Sequence, residues 1–295
     1  GCTFAVFGQN WETLNQQGMR AYQNGDYSQA IAIFEQAKAQ ARKEFGRKHE
    51  NYGKSCNNLA ALYESQGRYA EAEPLYLETR TIWEKALGKD HPKYATSCNN
   101  LALLYESQGR YAEAEPLYLE AKNIWKKALG KDDPDYATSC GNLALLYESQ
   151  GRYADAEPLF VEAKNIYEKA LGKDDPDYAV SCNDLALLYE SQGRYTEAEP
   201  LYLEAKNIIE EALGKDHLYY AASCNNLAAL YRSQGRYAEA EPLYLEDKNI
   251  IEKALGKDHP SYAASCNNLA GLYHSQGRYA EAEPLYLEAK NINEK

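Results

Sequence analysis

A Gly-Arg-Tyr turn constrains this chain more than any other feature. Its glycine stands at Gly67, Gly109, Gly151, Gly193, Gly235 and Gly277, each 42 residues after the last. One further step back reaches Gly25, in a diverged Asn-Gly-Asp-Tyr. The interval never slips along the 295 residues, which leaves no room for an inserted domain. A strict period of this length marks stacked supersecondary units. Each is too small to bury its own apolar face, and each is covered by its neighbour.

Inside a unit the apolar positions advance by three and four. In residues 133–171, Asp133-Pro134 reads as an N-cap followed by proline at the first helical position. Tyr136, Ala137, Cys140, Leu143, Ala144 and Tyr147 then form one stripe. The turn at Gly151 interrupts it. Tyr153, Ala156, Leu159, Phe160, Ala163, Ile166, Tyr167, Ala170 and Leu171 form a second, and Gly172 is expected to end it in the left-handed conformation. Acidic Asp155 and Glu157 open this second helix and Lys164 and Lys169 follow, an order that complements the helix dipole. Pro158 and its equivalents Pro74, Pro116, Pro200, Pro242 and Pro284 lie about six residues in, and predict a mild kink rather than a break. The chain therefore reads as an all-α solenoid. A non-repeat leader (1–9) precedes a single domain of seven antiparallel helix pairs (10–51, 52–93, 94–135, 136–177, 178–219, 220–261 and 262–295).

Several function classes are excluded at this level. The formal net charge is −12 and no run of Lys or Arg interrupts it, so a nucleic-acid partner is not expected. No apolar stretch of about 18 residues offers a membrane span. Cys56, Cys98, Cys140, Cys182, Cys224 and Cys266 share the 42-residue interval. That spacing suits neither a disulfide framework nor a metal site, and reads as one small buried residue carried along with its unit. Free thiols point to a reducing, cytoplasmic compartment. The Gly1-Cys2 start leaves a membrane-tethered lipoprotein as the alternative. Four of the five histidines, His49, His91, His217 and His259, fall in the connections and read as turn residues. No cofactor, no metal and no catalytic constellation is expected, because a catalytic centre needs unlike residues converging at one place.

The arrangement Leu101-Ala102-x-x-Tyr105-x-x-x-Gly109-x-Tyr111-x-x-Ala114-x-x-x-Tyr118-x-x-Ala121 resembles the tetratricopeptide repeat. The longer 42-residue unit, with its NNLA-x-LY, EAEPLY and LGKDHP wording, is similar to the kinesin light chain type over about residues 10–295. The first unit departs most. Gly18 and Ala21 give it the look of the standard short repeat, and Asp26 is expected to cap its second helix better than the usual arginine. The resemblance implies a right-handed superhelix whose first helices line a hollow, and a role as a protein-protein interaction scaffold. It carries the groove to Thr96, Asn99, Asn100, Leu103, Glu106 and Ser107. Helical spacing independently puts residues 99, 103, 106 and 107 on one face.

Three ladders follow. The first pairs a row of Asn58, Asn100, Asn142, Asn226 and Asn268, interrupted by Asp184, with a row of Asn57, Asn99, Asn183, Asn225 and Asn267, interrupted by Gly141. An amide both donates and accepts, so the first of these rows could hold an extended peptide backbone. The alternative is that the amides bond to neighbouring repeats. The second ladder is Ala61, Leu103, Leu145, Leu187, Ala229 and Gly271, an apolar floor with a pocket expected toward its shrinking end. The third is Glu64, Glu106, Glu148 and Glu190, then Arg232 and His274, which would favour a cationic ligand through the middle. Of the family's Lys-plus-Asn pair only Lys54 and Asn58 remain, so acidic cargo is not expected along most of the groove.

The leading expectation is thus a scaffold that holds a peptide or partner segment. The second is self-association, with another copy covering Leu285, Tyr286, Ala289 and Ile292 at the end of the chain. The apolar stretch Cys2–Phe7 could act as a plug for the groove.

Overall fold

The computed structural model describes residues 10–294, and the leader therefore lies outside the described residues. Among the described residues the regular elements are fourteen α-helices and no strand. The chain divides into two compact units, the first running to Leu146 and the second beginning at Tyr147. The first contains α1 (Trp11–Gln23), α2 (Tyr27–Phe45), α3 (Glu50–Ser65), α4 (Tyr69–Leu87), α5 (Pro92–Ser107), α6 (Tyr111–Ala128) and most of α7 (Pro134–Ser149). The second continues with α8 (Tyr153–Leu171), α9 (Pro176–Ser191), α10 (Tyr195–Leu213), α11 (Leu218–Ser233), α12 (Tyr237–Leu255), α13 (Pro260–Ser275) and α14 (Tyr279–Asn293).

Each unit packs hairpin on hairpin. In the second unit one core cluster joins Tyr178, Cys182, Ile209, Tyr220, Cys224 and Tyr262, and another joins Tyr202, Leu227, Leu230, Tyr244 and Leu269. The first unit buries the same columns at Tyr52, Cys56, Leu59, Tyr94, Cys98 and Leu101. Fully buried alanines such as Ala60, Ala72, Ala102 and Ala114 let the helices approach closely. At the end of the chain, Ala289 is buried and Leu285 and Ile292 pack partly into the core, whereas Tyr286 and Leu287 are exposed. The expected water-facing patch is therefore smaller than its sequence suggests.

The connections explain themselves once the caps are seen. Nδ1 of His49, His91, His217 and His259 accepts the backbone N–H two residues on, each at 3.1 Å. Asp133 and Asp175 do the same through Oδ1 at 2.9 and 2.8 Å. Histidine and aspartate alternate here because both present an acceptor to an orphan helix N–H. The second helices run unbroken through their prolines.

Two local expectations fail. Gly172 has φ 93 and ψ 168, a positive-φ extended conformation open to glycine, and not the left-handed helical one. Asp26 makes no side-chain cap bond: its ψ of 66 departs from the extended backbone that turns an N-cap side chain back onto the helix.

A repeated clasp ties the hairpins together. Arg110 donates from Nη1 to Glu73 of the preceding repeat at 2.9 Å and from Nη2 to Glu113 at 2.8 Å. Its guanidinium lies 3.9 Å from the centre of the Tyr105 ring, whose hydroxyl also donates to Glu73. Arg194, Arg236 and Arg278 repeat the arrangement with Glu157, Glu199 and Glu241.

Burial pushes the Cys56 thiol up to about 12 and those of Cys98, Cys182 and Cys224 to about 11. The thiolate is the reactive form, so these cysteines should stay silent to a thiol reagent at pH 7.5 in the native protein and react once urea unfolds it. Rapid native-state labelling of Cys98 or Cys182, read by mass spectrometry of the peptides, would contradict this packing.

Candidate functional site

The first helices expose one face whose chemistry repeats with the period. Its asparagines are engaged with one another. Nδ2 of Asn58, Asn100 and Asn142 donates to Oδ1 of Asn15, Asn57 and Asn99 at 2.8, 2.9 and 2.9 Å in the first unit. In the second unit Asn226 donates to Asn183 and Asn268 to Asn225, both at 2.8 Å. Each bond links the first helices of adjacent repeats, and Asn99 is buried. The expectation that the Asn58 row is free to clasp a peptide backbone is therefore corrected: one donor of each amide already holds the stack, because consecutive first helices bring those positions within amide reach. Asn267 is exposed.

The glutamate ladder is also committed, with one exception. The hydroxyls of Tyr76, Tyr118 and Tyr202 donate to Glu64, Glu106 and Glu190 at 2.6, 2.6 and 2.7 Å. These tyrosines are fully buried on the partner helix of the same hairpin. Burial raises the carboxyls of Glu64, Glu106 and Glu190 above the usual range. Glu148 has no such tyrosine, because residue 160 is phenylalanine. It accepts instead from the Ser191 hydroxyl at 3.3 Å. Asp184 lies near enough for the Glu148 charge to act on it, and burial first, then that charge, lifts its carboxyl to about 6.

The remaining expected positions divide. Leu145 is exposed, while Leu103 and Leu187 are half-buried and Leu187 packs against the core. The pocket expected at the shrinking end is occupied: a Cβ on Gly271 would meet Arg232 Nη1 at 2.9 Å. Arg232 also lies 5.9 Å from the centre of the Tyr244 ring, and its charge opposes the rise at Glu190. His274 meets the Tyr279 ring at 5.1 Å. Lys54 is exposed, with its ammonium 5.9 Å from the Trp11 ring.

An opening on the first-helix face of the second unit lies between α9 and α11. A recess of about 80 Å³ is lined by Val180, Asn183, Tyr219, Ala222 and Asn226. Val180 and Tyr219 are 44% and 56% exposed, enough for their apolar surface to be available. Val180 and Ala222 stand at the position of Lys54 in their own repeats, and nothing in the sequence signals that they frame an opening. Tyr219 was missed altogether, although it is the one aromatic at that position in its column. Among the described residues no group of three or more His, Cys, Asp or Glu could hold a metal ion, and no helix is long and apolar enough to cross a membrane.

The sequence model of the tetratricopeptide repeat matches residues 12–82, 55–121, 99–169, 141–205, 177–246 and 225–295. No protein with a curated description matches this sequence. Among solved structures, BtubC (BKLC) from P. vanneervenii is 25% identical with a TM-score of 0.64, covering 77% of this chain and 90% of its own. A provisionally assigned kinesin light chain of Podosopora anserina, with nearly identical TPR-like repeats, is 30% identical with a TM-score of 0.59, covering 69% and 96%. Aspartyl phosphate phosphatase F from Bacillus subtilis is 15% identical with a TM-score of 0.72, covering 97% and 70%, a likeness of fold alone.

Proposed function

Because the chain belongs to the tetratricopeptide repeat family, we propose that it is an interaction scaffold whose first-helix face, in the second unit, receives an extended segment of a protein partner. The observation that carries this reading is the α9/α11 recess, an exposed apolar opening on a face whose other polar groups are largely paired. The recess has room for a small aliphatic side chain. Asn226 donates to Asn183 and accepts from Asn225 at 3.4 Å, and each amide of the Asn183–Asn226 pair still has a further donor for the backbone of the same segment. Glu148 and Asp184 form the neighbouring acidic locus, where a lysine or arginine of the partner would relieve their mutual repulsion.

The test is selection of displayed random peptides against the protein, with measurement of the recovered sequences on variants. Val180→Asp and Ala222→Asp should each weaken the selected peptides by about tenfold or more, the cost of placing a charge against an apolar side chain. Where the peptide is basic, affinity should fall between pH 7.5 and pH 5 as Asp184 is protonated. Peptides indifferent to both aspartate variants would remove the recess from the function.

A further inference from the structure

The first repeat departs from a charge pattern that the fourth, fifth and sixth keep. Glu168 receives Lys164 at 3.9 Å and Lys173 at 3.4 Å. Glu210 receives Lys206 at 3.4 Å and Lys215 at 3.2 Å, and Glu252 receives Lys248 and Lys257 at 4.0 and 3.4 Å. One carboxylate thus sits between two cations. In the first repeat the two cationic positions are Lys38 and Arg47, and the glutamate between them is replaced by Arg42, as it is by Lys126 in the third. Arg47 pairs with a different carboxylate, Glu78 at 3.6 Å. Among the described residues no ion pair holds Lys38 or Arg42.

These cations border a cleft of about 820 Å³ between α2 and α4, with α3 as its floor. Ala39 lines it, where later second helices carry Thr81 or Asn165. Tyr52, Leu59 and Leu75 give it an apolar base. The two carboxylates on its wall are engaged: Glu35 accepts from the Tyr63 hydroxyl at 3.3 Å and Glu71 from Arg68 at 2.9 Å. In a chain of net charge −12, Lys38 and Arg42 without an ion pair, beside Arg47 which shares Glu78, focus a positive field at this cleft. The volume falls within the roughly 300–1,000 Å³ of small-molecule sites.

We propose that this cleft binds a small amphipathic carboxylate, its anionic head between Lys38, Arg42 and Arg47 and its apolar body on Tyr52, Leu59 and Leu75. The site belongs to the first unit and the α9/α11 recess to the second, and the two proposals stand or fall separately.

The probe is 2-naphthoate, titrated calorimetrically into the full chain beside 2-naphthalenemethanol, which has the same body without the charge. Naphthoate should bind saturably and the alcohol at least about tenfold more weakly. Arg42→Glu installs the residue found at Glu84, Glu168, Glu210 and Glu252, so folding is not at stake, and it should cost naphthoate at least about tenfold. Lys43→Glu makes the same charge change on the same helix outside the cleft and should leave the affinity within about twofold. Absence of saturable naphthoate binding, equal binding of the alcohol, or equal losses in the two glutamate variants would each overturn the proposal.

Discussion

Replacing Asp247 with alanine should raise folding stability at pH 7.5 by about 3 kcal/mol. The equivalent residues in other repeats are Ala37, Ala121, Ala163, Ala205 and Ala289, with Thr79 in the second, so the site is built for a small uncharged group. Asp247 is only 5% exposed. Burial lifts its carboxyl from 3.8 to about 6, and the Ser265 hydroxyl on α13 offsets only part of that. At about 1.4 kcal/mol per pH unit, the difference is about 3 kcal/mol of penalty on the ionised form. The sign follows from which state holds the proton more tightly. Below pH 4 the carboxyl is neutral in folded and unfolded chains, and the penalty vanishes. Between pH 4 and 6 the folded state retains a proton that the unfolded state has lost, so stability falls as pH rises. Above pH 6 the full cost persists. Urea unfolding of both proteins at pH 4, 5.5 and 7.5 should show a gap that opens with pH. A gap of one size throughout would mean that alanine's helix propensity, about 0.5 kcal/mol, is all that changed. The other neighbours that sense this carboxylate are Cys224 and Tyr244, and neither supplies a positive charge.

Gly53→Ala should act in the opposite direction, costing about 2 kcal/mol. A Cβ there would stand 2.7 Å from Trp83 Nε1, 3.0 Å from its Cδ1 and 3.2 Å from an Ile82 methyl. Trp83 is buried and donates from Nε1 to the Glu50 carbonyl at 3.1 Å, so moving the ring orphans a donor. A lost buried bond costs about 1–3 kcal/mol and overpacking about 1–3 more, while alanine returns about 1 through helix propensity. The next repeat shows the alternative outcome. Ala95 stands where Gly53 does, and the equivalent Trp125 is buried with its Nε1 unpartnered. Gly141→Ala is the matched control: nothing lies within 4 Å of its Cβ, and it should gain about 1 kcal/mol from propensity alone. Thermal and urea unfolding of the two variants would settle the signs. A neutral Gly53→Ala would mean that the indole can shift without loss.

The hairpins were legible because period and spacing are one-dimensional. Steps of three and four define a buried stripe, and a glycine every 42 residues defines where it turns. Ser107 is exposed as spacing predicts, and Cys98 and Leu101 are buried. The ladders misled because spacing says which residues share a face but not what they meet there. Asn100 reaches Asn57 across 43 residues, and Glu106 is claimed by Tyr118 from a different helix of its hairpin. Both pairings arise from helix packing, which no single stripe encodes. Yet exceptions in the columns carried a signal. Phe160 in a column of mostly tyrosine, Asp247 in one of small uncharged residues and Arg42 in one of mostly glutamate are each visible by aligning the repeats, and each marks a place where the structure departs from its own pattern.

The separations at which the repeats bind each other have a genetic consequence. The arginine clasp joins residues 37 apart and the amide pairs residues 43 apart. Copying or excising one 42-residue segment of coding sequence keeps every such partnership in frame, since each residue finds an equivalent at the same distance. A lesion of any other in-frame length sets all of them out of step at once. Gain or loss of one whole 42-residue copy is therefore the change of length that this pattern of contacts accommodates best.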